Sequence, residues 1–249
     1  MKTKLKTKAL LNWSSGKDAA LALYKIAQNP DFEISCLLTS INQELQRISM
    51  HGVRVELLQQ QAKSIGLPLE IMQVPEMPTM EVYERIMTET LVKLKKQGIT
   101  HSVFGDIFLE DLRKYREEKL AEIGFKGIFP LWKIPTHELI QEFLRLGFKT
   151  IVVCVNERFL DKSFVGRILN QDFIDDLPEN VDVCGENGEF HTFTFDGPIF
   201  SKPIYFDIGE TSYQKYESPK QENSSSTIRE TNFSDPFKFG FWYCDLIPK

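Results

Sequence analysis

The 249 residues include only four cysteines, Cys36, Cys154, Cys184 and Cys244, and no Cys-x-x-Cys pair. That spacing offers neither a zinc ligand set nor a redox dithiol, and three of the four lie in apolar runs, as core thiols in a reducing compartment would. Positive charge is not in excess either: 30 Lys and Arg stand against 35 Asp and Glu, a net charge of −5. A general nucleic-acid or membrane-surface binder would favour a basic face, so neither partner is expected. No apolar run is long enough to span a membrane. The basic start, Met1 to Lys8, is followed by an apolar run that ends at Trp13, too short for a signal peptide's core. The chain reads as cytoplasmic, and no internal repeat is visible.

The stretch that is present and informative is Leu10-Leu11-Asn12-Trp13-Ser14-Ser15-Gly16-Lys17-Asp18-Ala19-Ala20. An apolar strand ends, small residues turn the chain, and a helix restarts, so backbone N–H groups and the positive end of a helix dipole face an anion. Lys17 adds a mobile positive charge. This is not a Walker loop, because no Gly lies five residues before Gly16 and Lys17 is followed by Asp. It resembles the pyrophosphate-binding loop, roughly Ser-Gly-Gly-x-Asp-Ser, of the PP-loop ATP pyrophosphatases, which cut ATP between its α- and β-phosphates. The plainer reading of Ser14 to Asp18 is an ordinary polar helix start.

Beyond this loop, short apolar runs alternate with helical patterns, the mark of a parallel sheet with crossover helices. Strands are predicted at 9–13, 34–39, 69–74, 102–107 and 127–132. Helices are predicted at 18–28, 53–65 with Gly66 as its stop, 79–97 with Thr79 as its cap, 110–123 and 136–146. A very apolar strand follows at 150–155. The pattern then changes: 157–180 is mixed polar with short helical pieces, and 181–207 reads as paired antiparallel strands, with Asn187-Gly188 as a two-residue hairpin turn. Residues 211–232 read as a low-hydrophobicity linker. The apolar tail 237–247 is expected to fold back as a strand on its own chain or on a neighbouring subunit, the latter making a homo-oligomer.

Glu186 and Glu189 flank the predicted turn, so the hairpin would present two carboxylates close together beside His191. Such carboxylates can hold Mg²⁺, bind an amine or ammonia, or move protons, although acids beside an Asn-Gly turn are usually just solvated. The run Gly185-Glu186-x-Gly188-Glu189-Phe190-x-Thr192-Phe193, in one chain with a PP-loop, resembles the diphthine–ammonia ligase family. Gly105-Asp106-Ile107-Phe108-Leu109-Glu110-Asp111-Leu112-Arg113, Leu131-Trp132, Leu160-Asp161, Gly166-Arg167 and Asp196-Gly197-Pro198 extend the likeness over about residues 9–210.

The resemblance implies an α/β fold: a Rossmann-like parallel sheet of the adenine-nucleotide α-hydrolase (PP-loop) type with a second, smaller α/β domain. The expected division is 1–130 for ATP binding, 131–210 for the substrate domain with its Gly-Glu hairpin, and 211–249 for linker and tail. It implies ATP and Mg²⁺ as cofactors, and a carboxylate acceptor, small molecule or protein side chain, adenylylated and then captured by ammonia. Ser14, Ser15, Gly16, Lys17, Asp18, Gly105 and Asp106 would contact the nucleotide, with Asp18 also a metal ligand; Lys17, Glu186 and Glu189 would be catalytic. Asp18 is equally readable as a helix-start acid. Arg113, Arg116 and Glu117 read as a solvated, salt-bridged face. His51-Gly52 lies where members of that family approach the nucleotide, and reads as a capped polar loop. Trp13 and Trp132 line the pocket or simply pack.

Two departures stand out: the Gly usual at the loop's second position is Ser15, and its final Ser is Ala19. The lost hydroxyl would weaken ATP binding by about 1 kcal/mol. The alternatives are an ATP-binding regulatory protein without turnover and a PP-loop tRNA-modifying enzyme. The latter predicts a basic face and, for thiolases, paired cysteines. No glutaminase-like domain is visible, so free ammonia is the simpler nitrogen donor.

Overall fold

The computed structural model describes residues 5–216 and 239–249. Its first half is a parallel sheet built from β1 (Thr7–Asn12), β2 (Phe32–Asn42), β4 (Leu69–Val74), β5 (His101–Val103) and β6 (Lys126–Ile128). β2 lies between β1 and β4, and β5 lies between β1 and β6; the two-residue β3 (Arg47–Ile48) pairs antiparallel with the end of β2. The crossovers are α1 (Lys17–Ala27), α2 (Val55–Ile65), α3 (Met80–Lys95) and α4 (Glu110–Glu122). Gly66 ends α2 in the left-handed region (φ 81°), and the Thr79 side chain caps α3 by accepting from Val82 N.

Both faces of this sheet are covered, so apolar residues on its strands point to either side. Leu10, Cys36, Leu38 and Met72 pack under α3 and α4 with Leu91, Leu94, Phe104 and Leu120. Their alternate neighbours Ala9, Leu11, Leu37 and Ile41 face a larger core with α1, α2 and α5 (Thr136–Arg145).

That larger core is shared with a second, antiparallel sheet. Its strands are β7 (Lys149–Asn156), β8 (Phe190–Asp196), β9 (Phe206–Tyr216) and β10 (Phe239–Pro248), in the order β8-β7-β10-β9. The short α6 (Gln171–Asp175) is capped by Asn170, and the inward residues Val152, Phe193, Cys244 and Leu246 complete the core. The α/β class is as expected, with a mostly parallel sheet and a second, smaller α/β region.

Two local expectations differ from the structure. Asn187-Gly188 does not close a hairpin: residues 181–189 are turns, and β8 pairs with β7, some 40 residues earlier. Residues 211–216 are not linker but the end of β9, an exposed strand held by its backbone ladder to β10, so hydropathy carried no trace of it. Residues 217–232 of that stretch lie outside the described residues. The tail from Phe239 onward folds back on its own chain, and Asp245 accepts from both Arg47 (2.8 Å) and Arg54 (2.6 and 3.0 Å), fastening β10 to the first sheet.

Candidate active site

The carboxyl ends of β1 and β5, where the sheet order reverses direction, hold the loop Ser14–Gly16 and the pair Gly105–Asp106. Gly16 precedes α1 in extended conformation with no side-chain cap of its own. The cap comes from the second sheet: Thr192 Oγ1 on β8 accepts from Lys17 N at 3.0 Å. β8 reaches the loop again where Thr194 N donates to Ser15 O at 2.9 Å. A Cβ on Gly16 would lie 3.1–3.2 Å from Thr192 O, Thr192 Oγ1 and His51 Cε1, so this position has little room for a side chain.

Ser15 stands at φ 72°, the left-handed region that favours glycine, which is the residue usual there. It is held by Thr194 N and by Gln61 Nε2 (3.1 Å) on its carbonyl. Gln61, fully buried on α2, also accepts from Trp13 Nε1 (2.8 Å) and donates to Thr194 O (2.6 Å), tying loop, helix and second sheet at one point. Ser15 Oγ is buried and has no hydrogen-bond partner among the described residues. Trp13 thus packs and does not line a pocket; Trp132 lies beneath the Arg113 guanidinium at 4.6 Å.

Gly105 permits β5 to meet α1. A Cβ there would sit 2.9 Å from the carbonyl carbon of Asp18 and 3.1 Å from Ala19 N, both immobile backbone. Lys17 is buried, its ammonium 2.8 and 3.0 Å from the Asp18 carboxylate oxygens and 5.4 Å from the Phe190 ring. Burial works against its charge, but Asp18 and Glu186 outweigh that and hold the ammonium above the usual lysine range. Asp106 pairs with Arg116 at 2.8 Å; burial, with Asp18 nearby, raises its carboxyl despite the guanidinium.

Glu186 arrives from the 181–189 loop and accepts from Ile107 N (2.7 Å) and Phe108 N (3.4 Å) just past β5. Burial, then the carboxylates of Asp18 and Asp106, push it up to about 7 against the help of Ile107 N and Lys17. Glu189 does not join it. Fully buried, its carboxylate accepts from Asp182 N (3.0 Å), Asn187 N (2.9 Å) and Asn187 Nδ2 (3.0 Å). The chain wraps around this carboxylate, and the paired-carboxylate expectation is corrected to one site carboxylate and one that shapes its loop.

Ser14, Ser15, Gly16, Lys17, Asp18, Gly105, Asp106 and Glu186 therefore lie together at the carboxyl ends of β1 and β5. Sequence reasoning missed Thr192, Gln61 and the reach of Arg116 to Asp106. A polar Gln61 on the apolar face of α2, beside Leu57, Leu58 and Ala62, was the available signal. Arg113 pairs with Glu117, as the salt-bridged reading has it, whereas Arg116 turns inward over Phe104 at 4.5 Å. Beside Asn12 and Ser102, a pocket opens between α3 and α4, walled by Tyr83, Met87, Leu91 and Phe104, with Glu84 held by Tyr115 and Lys119.

The residues fit a phosphate chain: an orphaned buried hydroxyl, a buried ammonium, and glycine positions that a Cβ would block. Among the described residues no group of three or more His, Cys, Asp or Glu is arranged to hold a metal by itself, so a divalent ion there would share its coordination with phosphate oxygens and water. The four cysteines are free and buried, with the Cys154 thiol pushed up to about 12 by burial, and no thiolate is offered. No helix among the described residues is long and apolar enough to cross a membrane.

Fold and site define a two-sheet α/β protein with a Ser/Gly loop shaped to take a phosphate at the switch point of its parallel sheet. Residues 6–127 match the diphthamide synthase N-terminal domain and residues 135–221 the diphthamide synthase C-terminal domain; the chain belongs to that family. It is 29% identical over 128 residues to a Bos taurus protein named diphthine–ammonia ligase, covering 49% of this chain and 48% of that one. With the Homo sapiens protein of the same name it is 26% identical over 164 residues, covering 60% and 61%. The chain thus spans about half to three fifths of the length of these relatives. A U34-tRNA thiolase structure from Methanococcus maripaludis, with a TM-score of 0.37 and 17% identity over 58% of this chain and 59% of that one, is too distant to bear on this chain.

Proposed function

We propose that this chain is an ATP-dependent amidoligase that joins ammonia to a carboxylate, releasing AMP and pyrophosphate. The observation that carries the reading is the convergence of the Ser14–Asp18 loop with Glu186, which the second region delivers to the end of β5. Membership of the diphthamide synthase family supports it. The apolar pocket between α3 and α4 takes the adenine, and the loop takes the phosphates. An acceptor carboxylate oxygen attacks the α-phosphorus and pyrophosphate leaves onto Ser14, Ser15, Gly16 and the Lys17 ammonium, which neutralises the growing charge. Ammonia then forms the C–N bond as AMP departs. Glu186, poised near 7, accepts a proton from the incoming nitrogen. Asp18 would hold Mg²⁺ together with the phosphates, and the ion would supply charge neutralisation there. Glu189 positions the loop.

Free, buried cysteines suit a cytoplasmic location. Incubation with ATP, Mg²⁺, ammonium and a panel of carboxylate acceptors should release AMP and pyrophosphate in equal amounts, dependent on both acceptor and Lys17. Release from no acceptor would sink the reading. A second reading, ATP held without turnover, is favoured by one observation: Thr192 already occupies the Lys17 N–H, and Ala19 offers no hydroxyl. Tight ATP binding with no AMP formed would select it.

A further inference from the structure

Two imidazoles stand against the phosphate loop, and the reaction as proposed leaves them without a part. His51 follows β3 on a tight loop in which Met50 (φ 64°) and Gly52 (φ 68°) are left-handed, and its Cε1 is 3.2 Å from where a Gly16 Cβ would be. Its Nδ1 lies 3.3 Å from Thr192 O. A carbonyl only accepts, so the proton sits on Nδ1 and the Nε2 lone pair remains available. The His191 ring stacks on it at 4.6 Å and 29°.

The groups facing the pair come from four elements besides the rings themselves: Lys17 from α1, the Thr192 carbonyl from β8, Cys154 from β7, which pairs across the ladder with His191, and Tyr243 from β10, whose ring lies beside Gly52. Among the described residues no carboxylate bears on either ring. Burial and the Lys17 charge lower His51 to about 4, and His191, which also faces His51, falls well below its ordinary value. Two neutral imidazoles beside an ammonium are poised to be reversed by a polyanion. Ser15 Oγ, buried and without a partner among the described residues, indicates independently that a polar ligand belongs at this loop.

We propose that the stacked His51–His191 pair is a proton-carrying wall of the polyphosphate site: it takes up one proton when a triphosphate or pyrophosphate chain binds and returns it when pyrophosphate leaves. This rests on the phosphate-loop reading of Ser14–Lys17. The proton comes from solvent onto a ring Nε2, while His51 Nδ1–H stays on Thr192 O; no bond to carbon or phosphorus changes. One imidazolium is formed, since two stacked at this distance would repel. A phosphate charge within about 8 Å raises a neighbouring imidazole by about 1.5 pH units at an effective dielectric near 20, so a multiply charged pyrophosphate carries His51 from about 4 to 6 or above. Binding then favours the proton, and product release is helped as the ring gives it up.

The test is calorimetry of inorganic pyrophosphate, without divalent cations, binding to the full chain at pH 6 in two buffers of different ionisation heat. The wild type should take up roughly half to one proton more than His51→Asn and His191→Asn, which retain a short polar side chain. The second readout avoids variants altogether. Ring nitrogen-15 shifts of the wild type, titrated with and without pyrophosphate, should move one of these two histidines upward by roughly 2 pH units or more. Pyrophosphate binding with no difference in proton uptake and no moved histidine would overturn the pair's role and leave the phosphate loop standing. Absence of pyrophosphate binding would overturn both.

Discussion

Replacing Glu186 by glutamine should make the protein more stable at alkaline pH and less active. The carboxyl is lifted from 4.5 to about 7 by burial and by Asp18 and Asp106, so the folded state binds its proton more tightly than the unfolded chain does. A group raised in this direction favours folding below pH 4.5, and its contribution is lost as pH rises towards 7. The rise spans about 2.5 pH units at about 1.36 kcal/mol each, an upper limit near 3.4 kcal/mol at pH 8. Solvent reaches part of this half-buried side chain, and screening reduces the expected gain to ~1–2 kcal/mol. Glutamine keeps a carbonyl for Ile107 N, so the loop contact survives. Guanidinium unfolding of wild type and Glu186→Gln at pH 5 and pH 8 gives the comparison: near equality at pH 5 and a more stable variant at pH 8. A variant destabilised equally at both values would refute the argument, because Glu186 would then be an ordinary structural acceptor. The expected fall in AMP formation would place the residue among sites that trade stability for activity.

Gly105→Ala forces a Cβ to 2.9 Å from the Asp18 backbone; a loss of about 1–3 kcal/mol on unfolding and roughly tenfold weaker ATP binding by calorimetry are expected. Gln61→Leu strands Trp13 Nε1 in the core and takes the Gln61 donor from Thr194 O, while Ser15 O keeps Thr194 N; a cost of about 2–4 kcal/mol by denaturant midpoint is expected. Asp245→Asn weakens the clasp of β10 on Arg47 and Arg54. Although burial opposes it, the two guanidinium groups hold this carboxyl down at about 2, so the stability it adds is present above pH 4 and lost between pH 4 and 2. Wild type should exceed the variant by ~1–2 kcal/mol at pH 7, and the gap should close at pH 2.

The parallel half of the fold was legible because its signals are local. Gly66 does turn left-handed behind α2, Thr79 does cap α3, and the apolar residues of the strands do pack on two covered faces. The second sheet was harder to read because its order is set by pairing between distant segments. β8 looked like half of a hairpin around Asn187-Gly188, and only a fully buried Glu189 explains why the chain coils there instead. β9 carries mostly exposed polar residues, so nothing in its composition distinguishes it from a linker. In the site, Ser14 to Asp18 and Gly105-Asp106 were legible from motif and strand ends. Thr192 was not, since a residue 175 positions away supplies the cap that Gly16 lacks. Ser15 was readable as a departure, and its left-handed backbone gives the physical reason glycine is usual there.

The central claim is that ATP's phosphates lie on Ser14 to Lys17 with the α-phosphate turned towards the Glu186 loop. A crystal structure with a non-hydrolysable ATP analogue and Mg²⁺ tests it most directly. The β- and γ-phosphates should lie against Ser15 Oγ and the α1 N-terminus, the adenine between α3 and α4, and Glu186 should face the α-phosphorus. Phosphates bound elsewhere, or an α-phosphate turned away from Glu186, would contradict it.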